Sequence, residues 1–312
     1  MTAGFRWLVR AALVAAIAAS VTLGSAGAAS AASTDRDCAG RGVPVSKVSV
    51  QLWTFAEYIG FGTDAATIAR TEEVFRRLSE MGYRNVEPFT LSGLSAVEYR
   101  ALLDKYGLEA SGRHVDVGRP ENPADLDQIL ADNKTLGIKY FGSGSTPIFP
   151  LVYTTEAEWV AYAEYLNELG ARARQAGQTL MVHNHDIEFE IVFGDQTVFD
   201  ILAANTDPKN VVFQLDIYWA TNGGGIGNPV EVLERYGNRI QLFHVKDMAA
   251  GPFPGRIEIV GEGIIDFPEV FAEAGGGIRY YVVEHDPRFG DPTFDPFEAA
   301  QKGFDYLDCV TF

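Results

Sequence analysis

The stretch YRNVEPFTLSGLSAVEYRALLDKYGLEASGRHV, residues 83–115, contains one complete unit of the pattern that decides the fold. A β-rich run, Tyr83–Phe89, precedes Ser95–Glu98, in which a serine followed three residues later by a glutamate predicts the start of a helix. Gly107 stands where such a helix should end, and a second β-rich run, Leu108–Val115, follows it. The stretch therefore predicts a strand, a helix and a second strand.

The same alternation continues from residue 46 to residue 307. Eight runs are typical of strands: Lys47–Thr54, Tyr83–Phe89, Leu108–Val115, Ile138–Gly142, Thr179–His185, Val211–Ile217, Ile240–Val245 and Arg279–His285. Eight strand-helix units in one chain predict an α/β protein built as a single closed (β/α)8 TIM barrel. The alternative is an open doubly wound sheet, but no glycine-rich dinucleotide or phosphate fingerprint follows any of the strands.

The N-terminal residues have the pattern of a secretory signal peptide. Two arginines precede an apolar, alanine-rich stretch, and small residues end at Ala31. We therefore expect a signal peptide over residues 1–31, an N-terminal segment over 32–45 and the barrel over 46–312. No later segment reaches the ~18 unbroken apolar residues of a membrane helix. The sequence predicts a secreted, extracellular protein with no membrane partner after cleavage.

Charge and cysteine content limit the partners further. The formal net charge of −17 repels nucleic acid and anionic membranes. The two cysteines, Cys38 and Cys309, lie near the two ends of the mature chain, and export would bring them into an oxidising environment. We expect them to form an intrachain disulfide worth ~4–5 kcal/mol in the loop-entropy model, with two unpaired thiols as the alternative. The oligomeric state stays open, a homo-oligomer included.

Histidines and carboxylates lie at the ends of the predicted strands. The histidines are His114, His183, His185, His244 and His285, and the carboxylates are Glu87, Asp216, Asp247 and Glu284. Active sites of such barrels form at the carboxyl ends of the strands, so these side chains should surround one axis. Imidazoles and carboxylates together favour a divalent-metal site over a nucleophile triad, and no G-x-S-x-G motif is present.

Five motifs, in this order, carry a family resemblance: VHNHDIEFE (182–190), FQLDIYWA (213–220), LFHVKDM (242–248), VGEGIIDF (260–267) and YVVEHD (281–286). They resemble the xylose-isomerase-like TIM barrels, a superfamily that includes sugar phosphate isomerases/epimerases and the endonucleases that act at apurinic sites. The resemblance implies a metal held at His183, Asp216, His244 and Glu284. His183 is a departure, because the sugar epimerases have glutamate there. His185 should point to the same side of its strand, so either histidine could be the ligand.

The resemblance also implies a mechanism. One divalent ion, with Mn, Co, Zn or Fe favoured over Mg by the nitrogen ligands, would polarise a carbonyl while a proton is removed beside it, giving a metal-bound enediolate. Glu284, His185 and Glu188 are the candidate bases, and Lys246 could stabilise the negative charge that develops. The candidate substrate contacts are Glu87, His114, Trp53 and Trp219.

These inferences predict a metal-dependent sugar isomerase or epimerase whose partner is a small-molecule carbohydrate. Export argues for a non-phosphorylated sugar or keto-sugar. One alternative is a metal-dependent lyase that performs β-elimination on 3-keto-glycosides, and a second is an exported barrel that binds carbohydrate without turnover. A nuclease is disfavoured, because an HNH site needs a compact ββα-metal unit and the acidic charge opposes DNA binding.

Overall fold

The computed structural model describes residues 42–145, 147, 152–253 and 255–312, which belong to one compact unit. The predicted signal peptide and Cys38 lie outside the described residues, so export and the disulfide stay predictions. Within the described ranges, no helix is both long and apolar enough to cross a membrane.

Eight barrel strands lie where the sequence predicted them, most of them shorter than predicted. They are β1 (Val48–Gln51), β2 (Asn85–Glu87), β3 (Glu109–Ala110 and Arg113–His114), β4 (Tyr140–Gly142), β5 (Thr179–His183), β6 (Val211–Asp216), β7 (Ile240–Val245) and β8 (Tyr280–Val283). Every neighbouring pair is parallel. Parallel strands joined through helices confirm the predicted α/β class.

The sheet closes at β3. Strand β1 pairs with both β2 and β8, the first half of β3 pairs with β2, and its second half pairs with β4. At the junction the amide of His114 donates to the carbonyl of Pro88 over 2.9 Å, and the amide of Val115 donates to that of Gly142 over 2.8 Å. Since β3 is bonded on both sides, the parallel sheet is nearly closed, as in the predicted TIM barrel, and is not an open doubly wound sheet.

One principal helix follows each strand. These helices are α1 (Ala65–Met81), α2 (Ala96–Lys105), α3 (Leu126–Leu136), α4 (Glu156–Gln175), α5 (Val198–Asn205), α6 (Asn228–Tyr236), α7 (Phe267–Ala274) and α8 (Pro296–Cys309). The capping box predicted at Ser95 and Glu98 is present at the start of α2. Short helices lie in the loops at Ala56–Ile59, Ile187–Glu190 and Ile217–Gly224. Their position places them at the carboxyl ends of β1, β5 and β6.

The barrel interior changes from apolar to polar along its axis. One layer is a small apolar cluster of Tyr140, Met181, Val212 and Leu242. Two residues further along each of three strands, on the same face, stand His183, Gln214 and His244, and two residues further again stand His185, Asp216 and Lys246. Because side chains alternate between the two faces of a strand, this spacing directs the strand residues among them into the barrel, and His185 and Lys246, just beyond the ends of β5 and β7, line the cavity there. The polar layers therefore lie at its carboxyl end.

Candidate active site

A cavity of about 550 Å³ opens at the carboxyl end of the barrel. Its wall includes seven residues singled out from the sequence, Trp53, His114, His183, His185, Trp219, Lys246 and Glu284, together with Phe89, Asp116 and Asp286. A cavity of this volume falls in the range of small-molecule binding sites. The predicted strand-end residues thus surround one concave site.

His244 lies at the centre of the charged cluster beneath this cavity. Its Nδ1 is 2.6 Å from an oxygen of Glu284, and its Nε2 is 2.5 Å from an oxygen of Glu87. Burial by itself would lower the pKa of His244, but the carboxylates of Glu284 and Glu87 outweigh it and raise the pKa to about 10. The surroundings of His244 therefore favour a positive charge.

Lys246 supplies a second cation to the same cluster. Its Nζ lies 3.2 Å from Asp216, 3.1 Å from Glu284 and 2.9 Å from Asp286. Burial would lower the pKa of Lys246, but the three carboxylates raise it well above its ordinary value. Burial raises the pKa of Asp216 to about 6, although the Lys246 ammonium opposes the shift. The cluster thus places three carboxylates around one buried ammonium.

Two overlapping groups of side chains could hold a metal ion. Asp216, His244 and Glu284 each offer a ligand atom, and these atoms lie within 4.8 Å of one another. The Oδ2 of Asp216 is buried and accepts no hydrogen bond, and the Lys246 ammonium lies 3.2 Å from it. His114, His183 and His244 form a second group within the same limit. Carboxylate and imidazole donors suit a first-row divalent ion, which would replace the proton on His244. These residues therefore fit the divalent metal that the family resemblance implies. His183 lies beside the cluster formed by Asp216, His244 and Glu284.

Glu87 lies one layer below the cavity and does not line it. Its side chain is fully buried and accepts hydrogen bonds from Gln51 over 2.9 Å and from Gln214 over 2.8 Å. Gly112 leaves room for it, because a Cβ there would come within 2.5 Å of the Glu87 carboxylate. The structure therefore places Glu87 as a support of His244, where the sequence predicted a substrate contact.

Gln214 connects the histidines to this support, and the sequence did not single it out. Its side-chain oxygen lies 2.8 Å from Nε2 of His114 and 3.2 Å from Nδ1 of His183. It is fully buried. Gln214 precedes Asp216 by two residues, so the alternation of side chains along a strand could have identified it.

The two remaining candidate bases differ in position. His185 lines the cavity, with its ring centroid 5.0 Å from that of His183, and burial lowers the pKa of His185 to about 3. Glu188 does not line the main cavity; its carboxyl accepts the backbone N–H of His185 over 2.8 Å. Burial raises the pKa of Glu188 to about 8, so it is protonated near neutral pH. Glu188 is therefore placed to orient His185.

Asp247 organises the loop between β7 and α7. Its carboxylate accepts the backbone N–H groups of Met248, Gly261, Gly263 and Ile265 at 2.8–3.2 Å. A Cβ at Gly263 would collide with this carboxylate, which explains why the second glycine of the VGEGIIDF motif is needed. Asp247 therefore acts on the loop and lies outside the cavity wall.

Comparison with curated proteins finds inosose dehydratases. The chain is 30% identical over 176 residues to that of Lacticaseibacillus casei, covering 50% of this chain and 56% of that protein. It is 25% identical over 274 residues to that of Geobacillus kaustophilus, covering 76% and 86%. The chain thus spans just over half the length of the first of these relatives.

Solved structures share the fold. A sugar phosphate isomerase/epimerase from Parabacteroides distasonis superposes with a TM-score of 0.69 at 24% identity, covering 86% of this chain and 96% of that one. The D-psicose 3-epimerase of Clostridium cellulolyticum, solved with D-tagatose, gives 0.60 at 14% identity, covering 85% and 100%. The model of one family, described as the xylose isomerase-like TIM barrel, matches residues 75–307. Since that match spans more than half of the sequence, the chain belongs to the xylose isomerase-like TIM barrel family.

Proposed function

We propose that this protein is a divalent-metal-dependent sugar isomerase or epimerase that removes a proton next to a carbonyl group. The observation that carries the proposal is the convergence of Asp216, His244 and Glu284, the last of which lines a cavity of about 550 Å³. The curated relatives named as inosose dehydratases and the D-psicose 3-epimerase of the same fold support a carbohydrate substrate. A barrel that only bound sugar would not need three carboxylates around a buried ammonium.

Asp216, His244 and Glu284 would hold the ion, and His183 lies close enough to His244 to take part, with ring centroids 4.6 Å apart. A divalent ion bound there supplies Lewis acidity that polarises a carbonyl and makes the neighbouring C–H more acidic. The imidazole donors favour Mn, Co, Zn or Fe over Mg.

The proton is handled by groups that face the cavity. His185, on the loop after β5, and Glu284, just after β8, both line the wall and approach the substrate from different strands. Glu188 is not assigned this role, because it lies outside that wall. The Lys246 ammonium faces the cavity as well and stabilises the negative oxygen of the enediolate. Return of the proton to a neighbouring carbon, or to the opposite face of the same carbon, completes isomerisation or epimerisation.

β-Elimination is the second candidate. It shares the first proton removal, but the enediolate then expels a leaving group from the next carbon. One observation favours it: the curated relatives are named as dehydratases. The family resemblance agrees with it, because it places His183 where the sugar epimerases have glutamate. An epimerase of this type would use two carboxylates on opposite faces of the sugar. Of that pair, only Glu284 is present here.

Metal content tests the first part of the proposal. The purified protein should contain about one first-row divalent ion per chain, and Asp216→Asn should lose most of it. Glu190→Gln, an exposed change in the short helix after the neighbouring strand β5, is the matched control and should keep the metal. Equal metal content in the wild type and Asp216→Asn would refute the assigned ligand set.

Hydrogen exchange in D₂O tests the chemistry and separates the two reactions. A panel of ketoses and 3-keto-glycosides is incubated with the metal-loaded protein and followed by NMR. Deuterium next to the carbonyl together with a new epimer or isomer supports the main proposal. Release of the leaving group with formation of the unsaturated product, with or without deuterium next to the carbonyl, supports the lyase. No exchange in any compound, with metal bound, would favour a carbohydrate-binding barrel.

Export belongs to the same proposal, since a protein acting outside the cell meets free sugars more often than sugar phosphates. N-terminal sequencing of the protein from the culture medium should find a chain that begins after Ala31. Recovery of the full-length chain inside the cell alone would refute it.

A further inference from the structure

Four aromatic side chains form one cluster at the mouth of the cavity. Trp53 follows β1, Phe61 lies in the loop between β1 and α1, Phe89 follows β2, and Phe289 lies between β8 and α8. We call them the outer aromatic cluster. The ring centroid of Trp53 lies 5.2 Å from that of Phe89, 5.9 Å from that of Phe61 and 6.3 Å from that of Phe289. Loops from three different strands therefore bring these rings together.

The cluster is unusually exposed. Phe61 is 67% exposed and Phe289 is 56% exposed, more than any other aromatic side chain among the described residues. Their ring centroids are 6.2 Å apart, so the two form one surface. Contiguous exposed apolar surface costs free energy in water and marks binding sites more often than a single exposed ring does. Packing of the barrel core gives no reason for two aromatic rings that face solvent.

The outer aromatic cluster is continuous with the candidate active site. Trp53 and Phe89 line the same cavity as Lys246, Glu284 and Asp286. The cavity wall therefore carries both charged groups and aromatic rings, and the rings continue outward through Phe61 and Phe289. A ligand that fills the cavity and its mouth needs a polar part and a flat apolar part.

We propose that the outer aromatic cluster binds a flat apolar substituent on the sugar, so that the preferred ligand is a keto-sugar joined to an aryl group rather than a free monosaccharide. The inference rests on the proposed function, because it places the keto-sugar beside the charged groups of the same cavity. The ring of the substituent packs against Phe61 and Phe289 in offset or edge-to-face contact. These two residues determine specificity and take no part in proton transfer.

A second sugar ring is the rival occupant of this surface. A sugar ring presents only the C–H groups of one face to an aromatic ring, and the hydroxyl groups around its edge must stay in water or find a hydrogen-bond partner. The outer aromatic cluster consists of three phenyl rings and one indole, which together offer a single N–H. An aryl group has no such requirement, so the cluster fits it better.

Binding is measured by isothermal titration calorimetry with the metal-loaded full-length mature protein. The probes are matched phenyl and methyl glycosides of glucose, galactose and xylose, which have no carbonyl group and therefore bind without turnover, with cellobiose and lactose as two-sugar ligands. The variant is Phe61→Ala/Phe289→Ala. Phe253→Ala removes a ring of similar exposure, 52%, outside the cluster and is the matched control. Both positions of the double variant are exposed, and thermal unfolding verifies that it folds.

We expect at least one phenyl glycoside to bind about tenfold more tightly than its methyl partner, the gain typical of one well-packed aromatic pair. The double variant should lose that preference, and Phe253→Ala should keep it. The proposal is overturned if no phenyl glycoside is preferred, if the double variant retains the preference, or if a disaccharide binds best. Calorimetry measures binding without turnover. If the proton-exchange experiment finds no reaction, the binding result can therefore still be interpreted on its own.

Discussion

Replacing Glu188 by glutamine should make the protein more stable at alkaline pH. The Glu188 side chain is 2% exposed and accepts the N–H of His185 over 2.8 Å. Burial raises the pKa of this carboxyl from the ordinary value of 4.5 to about 8. Glutamine has nearly the same shape and keeps an oxygen that can accept the N–H, but it cannot ionise. The variant thus removes a buried group that must become charged as the pH rises.

The size and sign of the effect follow from the two pKa values. The folded state holds the Glu188 proton more tightly than the unfolded state, so this contribution to stability is fully present below pH 4.5 and is lost as the pH rises through 8. One pKa unit corresponds to about 1.4 kcal/mol, which gives a total of up to about 5 kcal/mol. Between pH 5 and pH 8 the wild type should lose about 3–4 kcal/mol relative to the variant.

Urea unfolding followed by circular dichroism measures this difference. The wild type, Glu188→Gln and the exposed control Glu190→Gln are compared at pH 5 and pH 8. Taking the difference between variant and wild type at each pH cancels the other groups that titrate in this range. The free energy of unfolding of Glu190→Gln should track that of the wild type. If Glu188→Gln also tracks the wild type at both pH values, the buried, protonated state of Glu188 is refuted.

Three further predictions concern single side chains. Asp247→Ala should lower the free energy of unfolding by about 2–4 kcal/mol in urea, because four loop N–H groups lose a charged acceptor, and an unchanged value would show that the loop orders without it. Lys246→Met should destabilise the metal-free protein by about 3–5 kcal/mol, since it leaves buried carboxylates without their cation. Mn²⁺ should then raise the melting temperature of this variant more than that of the wild type, and equal shifts would argue against metal binding at these carboxylates. A thiol assay on the unreduced mature protein should find no free thiol at Cys38 or Cys309, whereas two reactive thiols would disprove the disulfide.

Most of the fold could be predicted from local patterns. The β-rich runs, the capping box at Ser95 and the glycine at 107 act through backbone propensity and hydrogen bonds within a few residues. These signals do not define where a strand ends. Thr54 was predicted within the first strand but lies in the turn Leu52–Phe55, and His185 lies beyond the end of β5. Strand pairing with neighbours far along the chain decides those limits.

The candidate site was predicted as a set of residues but not as an arrangement. The strand-end position of His114, His183 and His185 indicated that they meet, and the structure brings them to one cavity. The sequence did not reveal that Glu87 lies outside the cavity wall, in contact with His244. It also did not predict the outer aromatic cluster, because rings on loops after different strands share no local pattern.

The sequence by itself determined which side chains face the barrel axis, because alternation along a strand is a property of the local backbone. It also determined that acids and histidines come at the strand ends. Only the tertiary structure decided the depth of each side chain along the axis, and so separated Glu87, which supports His244, from Glu284, which faces the cavity. The physical reason is that the stagger between neighbouring strands fixes which residues share a level of the barrel, and that stagger comes from hydrogen bonds between segments distant in the chain.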